Sequence, residues 1–384
     1  MVESGAFGGT AGVMELVKKY EMAAAGTTTR SKRTSTVSQK EESDRDPSIY
    51  VRASMGYRTL GWFLIKIGGG PPAHDINLSP VFTEQAPVFR PFSRCEAMGS
   101  TIYSIGGGDP NDPDERSPER VSDVYWIDTL RPKQGWNKLD RSMTYPRAYT
   151  HGVAVDGNLY VMGSFKSSID HLRDPPVTRS LKPEVYMESV GVEGFWRVLR
   201  DPPTDLFGDI VDVPHLINGH AVVDLGNCDN GGEKKRIVIM RSSGSTKLYS
   251  YDVDTDSWSV YHNDFPPRTF ASAFVDGILY YLDYAHPGVM YGLDLSKPNQ
   301  RVVVIGKNHK GNGRHPWMPP ALSTPFLVSL GSGKLAALWE AEGDVPRHMR
   351  VYCSVIEVSA FAAYPLSCSS YCLRGSMIHE CLAV

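Results

Sequence analysis

Three histidines share one sequence setting: His151 in "THGVAV", His220 in "GHAVVD" and His379 in "IHECLAV". Imidazoles brought together can hold a transition metal. Cys368 and Cys372, followed by His379 and Cys381, form a second candidate ligand set, but the two tight pairs of a zinc knuckle are missing. The Gly-rich "GGGDPNDPD" (106–114) runs into Pro and Asp, so no helix N-terminus follows to cradle a phosphate. No GxSxG, HExxH or P-loop occurs. The remaining chemistry lies in Pro/Arg-rich approach segments: "FRPFSR", "MTYPRAY", "DVPHLING", "DFPPRTF" and "RHPWMPP". These carry Arg90, Arg94, Arg147, Arg268 and Arg314 beside Tyr149, Phe270 and Trp317. Arginine and aromatic residues dominate interface hot spots, so Arg94, Arg147, Tyr149, Arg268, Phe270 and Trp317 are the candidate binding residues.

The elements that position these residues follow from a repeat. "MTYPRAYTHGVAVDGNLYVMGS" joins two short apolar runs through Asp156-Gly157, a strong hairpin signal. "AMGSTIYSIGGG" (97–108) aligns on "AVDGNLYVMGS" (154–164), superposing Tyr103 on Tyr160. "FVDGILYYLDY" (274–284) and "SLGSGKLAALWE" (329–340) repeat it, as does 220–243 with an expanded turn, 225–235, that reads as a mobile, solvated insertion. Each copy is followed by alternating strands such as "DVYWIDTLRPKQGW" and "LYSYDVDTDSW", three of which reach a Trp (136, 196, 258). The unit is strand, tight turn, strand, loop, strand, turn, strand.

Four antiparallel strands repeated radially make a β-propeller. The fold expected is all-β, a propeller of about six four-stranded blades over 49–384, with "GWFLIKIGGG" (61–70) as the second strand of the sixth unit. Tyr and Trp in register then fill the wedges between blades. The three histidines occupy equivalent positions in different blades, where each is expected to hydrogen-bond a neighbouring backbone rather than a metal. "SMIHECLAV" (376–384) has first-strand form and is expected to close the ring by pairing with the 61–70 strand. The stretch 359–375 reads as an irregular connection.

Composition narrows the function classes. Of 384 residues, 41% are apolar and 22% charged, with a net charge of −3, so no global field favours nucleic acid or a membrane surface. No run approaches the ~20 apolar residues of a transmembrane helix. The first 30 residues lack a signal-peptide core, which predicts an intracellular chain (cytoplasm and/or nucleus) with its six cysteines reduced. Residues 1–48 are Thr/Ser-rich and of mixed charge, too polar to offset ordering, and are expected to be a disordered tail in which "ELVKKYEMAAA" forms at most a short helix.

The units resemble kelch repeats: "PRAYTHGVAVDGNLYVMGS" follows the kelch order of Pro-Arg, His, Asp-Gly turn and Tyr. "STIYSIGGG" carries the Gly-Gly end, and "LYSYDVDTDSW" the Tyr-x-Tyr-Asp and Trp. The style is similar to plant kelch-like proteins, including a grass family of unknown function and the propellers of F-box/kelch proteins. Residues 1–48 show nothing like an F-box, so a ubiquitin-ligase role does not carry over. The resemblance implies a non-enzymatic module, a monomeric propeller, that binds an unknown protein partner or ligand without a cofactor. The alternative it implies is a metal-dependent kelch enzyme or specifier protein acting on a small plant metabolite. The specifier motif is Glu-x3-Asp-x3-His; Glu119 and Asp123 match, but Ile127 stands where the His would be.

Overall fold

The computed structural model describes residues 47–384 apart from 57, 69–71, 73, 113–119, 164–181, 190–191, 204–205, 207–216, 228–232, 242–245, 266–268, 284–289, 298–300, 307–324, 343–347 and 360–361. The expected tail and its short helix lie outside the described residues.

Short alternating apolar runs become strands throughout. The chain begins with β1 (Ser48–Gly56), β2 (Thr59–Lys66), β3 (Ile76–Leu78) and β4 (Phe82–Glu84). The second blade is β5 (Arg94–Met98), β6 (Thr101–Ile105), β7 (Val124–Asp128) and β8 (Asn137–Lys138). The third is β9 (His151–Val155), β10 (Asn158–Met162), β11 (Glu184–Ser189) and β12 (Val192–Val198). The fourth is β13 (Ile217–Asn227), β14 (Glu233–Arg241), β15 (Leu248–Asp252) and β16 (Ser257–His262). The fifth is β17 (Thr269–Val275), β18 (Ile278–Asp283), β19 (Met290–Asp294) and β20 (Arg301–Gly306). The sixth is β21 (Phe326–Gly331), β22 (Lys334–Glu342), β23 (His348–Ser359) and β24 (Ala362–Arg374). The last strand, β25 (Ile378–Ala383), returns to the first blade, whose order is β25-β1-β2-β4. The result is a six-bladed all-β propeller. The innermost strands adjoin one another around the axis in the order β25, β5, β9, β13, β17, β21 and back to β25.

The hairpin at Asp156-Gly157 has φ of 50° and 74°, the left-handed pair of a type I′ turn. Asp276-Gly277 repeats it at 47° and 86°. Apolar faces meet between blades rather than in one central core. Val153, Tyr160 and Val185 of the third blade, for instance, pack on Ile237, Ile239 and Tyr251 of the fourth. The three repeated tryptophans have a second role. Their indole N–H groups donate to carbonyls contributed by the preceding unit: Trp136 to Thr83 (3.3 Å), Trp196 to Arg141 (2.9 Å) and Trp258 to Arg200 (3.0 Å).

Three expectations need correction. First, β25 closes the ring, but it pairs antiparallel with β1, not with the 61–70 segment; Val51 faces Cys381 and Arg52 faces Glu380. The strand β1 was hidden because a charged residue, Arg52, interrupts its apolar run. Second, 359–375 is not an irregular connection: β24 occupies Ala362–Arg374 and pairs with β23 along nearly its whole length. Pro365 lies at a register shift beside Leu366, where a missing N–H is tolerated, and the outermost strand needs no continuous apolar face. Strand β24 also pairs in parallel with β20 at Ile305–Ala362 and with β3 at Ile76–Tyr371, tying the sixth blade to the fifth and to the first blade's loop. Third, the two ends of the 225–235 insertion, 225–227 and 233–235, are strand, as extensions of β13 and β14, while 228–232 lie outside the described residues.

Candidate functional site

Two of the approach arginines are internal. Arg147 is fully buried, and its guanidinium donates to Glu184 Oε1 (2.6 Å) and to the Lys182 carbonyl (2.8 Å). Glu184 also accepts the backbone N–H groups of Thr144 (2.7 Å) and Tyr145 (3.1 Å). Arg90 repeats the device one blade earlier. It donates to Asp123 (2.7 Å) and lies 4.9 Å above the Tyr125 ring. Burial pushes the Asp123 carboxyl up, but Lys138, Arg90 and Ser142 outweigh it and hold it below its usual value. Each pair fastens a Pro/Arg segment to the start of its blade's third strand. Arg147 is therefore not a surface contact: the sequence pattern that nominated it records loop anchoring. The Gly-Gly that ends β6 serves the same loops. Gly107 (φ 104°) donates to the Arg147 carbonyl, and a Cβ on it would lie 2.8 Å from Arg90 Cβ and 2.9 Å from the Pro91 carbonyl.

What the anchored segments present is the aromatic residue two positions beyond each arginine. Phe92 and Tyr149 stack at 4.5 Å between centroids with an interplanar angle of 23°. They line a cavity of about 610 Å³ between the first and second blades, together with Arg58, Leu60, Arg94 and Met377. Arg94 projects from the start of β5 with its side chain 37% exposed. Its contacts are long, 3.5 Å to the His379 carbonyl and 3.9 Å to Glu380 Oε1. Glu380 is already engaged by Arg52 (3.1 Å) and the Cys95 N–H (2.9 Å), while Arg52 is also held by Glu84 (2.6 Å) and Ser93 (2.8 Å). Burial raises the Tyr149 phenol, an effect Arg94 opposes.

A second cavity, about 680 Å³, follows the propeller axis and shares Arg94 and His379 with the first. His151 Nε2 lies 2.8 Å from His220 Nδ1, so β9 and β13 are bridged side chain to side chain instead of through backbone. His379 instead meets Ser54 Oγ at 2.7 Å. Desolvation pushes all three imidazoles down, His151 well below 6.5 and His220 and His379 to about 4, with Arg52 and Arg94 adding to the effect on His379. They are neutral hydrogen-bonding groups. Glu96, on the same channel, is pushed up to about 8 by burial and by Glu380, against a bond from the Ala154 backbone. Among the described residues no group of three or more His, Cys, Asp or Glu is arranged to hold a metal ion. The described cysteines, 95, 353, 368, 372 and 381, are free thiols.

Of the candidate binding residues, Arg94 and Tyr149 come together at one cavity. Arg268 and Trp317 lie outside the described residues, as do Arg314 and Glu119; of Phe270 only the backbone, in β17, is described. Sequence reading missed Phe92, Arg58 and the Arg52–Glu84–Glu380 cluster. The Phe92 signal was present as an Arg-x-aromatic spacing shared by 90–92, 147–149 and 268–270. The cluster had none, because its members are 32 and 328 residues apart.

No protein-family model matches the sequence, and no curated protein matches it. Among solved structures, the chain is similar to the one described as "Structure of YjhT" at 12% identity, covering 81% of this chain and 95% of that one, with a TM-score of 0.42. It is also similar to the computationally designed Ika8 protein at 11% identity, covering 79% and 70% of the two chains, with a TM-score of 0.35. These likenesses concern the fold alone. No helix among the described residues is long and apolar enough to cross a membrane.

Proposed function

We propose that this chain is a kelch-type recognition module that binds a partner or ligand on its loop face and performs no chemistry on it, working as a monomeric propeller in the cytoplasm or nucleus. The observation that carries this reading is the use of the approach arginines. Arg90 and Arg147 are consumed in buried pairs that fix the loops, leaving Phe92, Tyr149 and Arg94 displayed at one cavity. Rigid aromatics beside a partly exposed guanidinium are hot-spot chemistry. The kelch-like order of "PRAYTHGVAVDGNLYVMGS" supports the assignment of type.

Proximity labelling in cells tests it. The full chain and an Arg94→Glu/Tyr149→Ala variant of matched melting temperature are each fused to a labelling enzyme. The expected result is that a discrete set of proteins is labelled by the parent and lost from the variant. Identical labelling by both would remove this face from the recognition role.

A further inference from the structure

Eight non-glycine residues among those described have positive φ. Five are Asp or Ser (Asp75, Asp156, Asp256, Asp276, Ser332); Asp tolerates this region well, and all five lie in turns or at a strand entry. The other three, Arg58 (56°), Phe92 (63°) and Tyr149 (53°), also sit in turns or bends, but they are bulky and all three line the cavity between the first and second blades. Bulky side chains in the left-handed region cost energy and persist where the surroundings over-determine them, characteristically at ligand sites. The cavity's volume of about 610 Å³ falls in the range of small-molecule sites, about 300–1,000 Å³.

The charges on the lining select the ligand. Arg52 is neutralised by Glu84 and Glu380, and Arg90 by Asp123. Arg58 shares the lining with Asp109 and Asp112. Arg94 is left as a guanidinium with only long contacts, beside the Phe92–Tyr149 stack. A guanidinium fork matches a carboxylate. With Arg58 set against two carboxylates in the lining, Asp109 and Asp112, and Glu380 beside Arg94, a dianion's second charge would meet no net positive charge. We propose that this cavity binds a small planar monocarboxylic acid, its ring system against Phe92 and Tyr149 and its carboxylate on Arg94. The proposal rests on the recognition role above and specifies the ligand of that same site.

The probe is naphthoate, titrated calorimetrically into the full chain, with naphthamide, naphthyl phosphate and cyclohexanecarboxylate as companions. Naphthoate is expected to saturate one site below about 1 mM, as suits an unoptimised ligand of that size. The amide, the phosphate and the non-planar acid should each bind at least about tenfold more weakly, since each lacks one feature the site reads. Arg94→Gln, checked for unchanged melting, should reduce naphthoate affinity by about tenfold or more. If that variant does not fold, the ligand series on the parent chain decides. Equal affinity for acid and amide, or no saturable naphthoate binding up to about 5 mM, overturns the proposal. Labelling that depends on Arg94 and Tyr149 without naphthoate binding would reject the small-acid ligand and leave the recognition role standing; loss of neither labelling nor binding in the variants would reject both.

Discussion

The Arg147–Glu184 pair shows how a loop residue is spent on architecture. Both side chains are fully buried, and Glu184 satisfies two backbone N–H groups besides. Removing one member of such a pair leaves an uncompensated buried charge and costs about 3–5 kcal/mol. Arg147→Met should therefore lose that much stability in urea denaturation; a loss under about 1 kcal/mol would mean the pair is not closed to water. The channel groups give a pH signature. His151, His220 and His379 are held neutral, so the unfolded chain binds more protons than the folded one from about 6.5 down to about 4, and these groups lose stability as pH falls through that window. Glu96 acts oppositely. Its carboxyl, raised to about 8, stays protonated in the fold while the unfolded chain ionises above about 4.5, so its contribution falls as pH rises from 4.5 to 8. The urea midpoint of Glu96→Gln should gain on that of the parent steadily from pH 5 to pH 8; a constant gap would show that Glu96 is ionised in the fold.

At the scale of the element, blade cohesion depends on features that recur in register. Trp196 and Trp258 each donate at about 3.0 Å or less to a carbonyl of the preceding unit while packing at a tilt against Tyr186 and Tyr251. Phenylalanine keeps much of the packing and removes the donor. Trp196→Phe and Trp258→Phe should each cost about 1 kcal/mol, the net worth of a hydrogen bond. Urea denaturation of the two variants and their double mutant measures it, and the two losses should add because the sites belong to different interfaces. The Asp156-Gly157 turn is the other recurrent feature. Nothing lies within 4 Å of a Cβ built on Gly157, so Gly157→Ala tests its φ of 74° alone and should cost about 1 kcal/mol.

At the scale of the molecule, closure depends on one strand. β25 pairs with β1, contributes Glu380 to the Arg52 cluster and adjoins both β5 and β21 around the axis. Deleting 376–384 would expose the inner edge of the first blade and strip Arg52 of one of its two carboxylates. The truncated chain should lose cooperative unfolding or solubility as a whole. A soluble truncation that melts like the parent would show that the ring closes without β25.

Local chemistry was enough to reveal the hairpins, the propeller and its six units, because Asp-Gly turns and alternating apolar runs are set by neighbours in sequence. It also placed the tryptophans between blades. Pairing partners were another matter. The first-form character of 376–384 was legible, but whether it met β1 or β2 depended on a strand whose central residue, Arg52, becomes burial-compatible only when Glu84 and Glu380 arrive from distant parts of the chain. The polar, Pro-containing β24 gave no periodic signal because an outermost strand is not required to bury both faces. The candidate site divides in the same way. Arg94 and Tyr149 were visible as residue types in approach loops, whereas the inward turn of Arg147 and the meeting of Phe92 with Tyr149 were decided by the packing of one blade on the next, which brings the two loops within 4.5 Å.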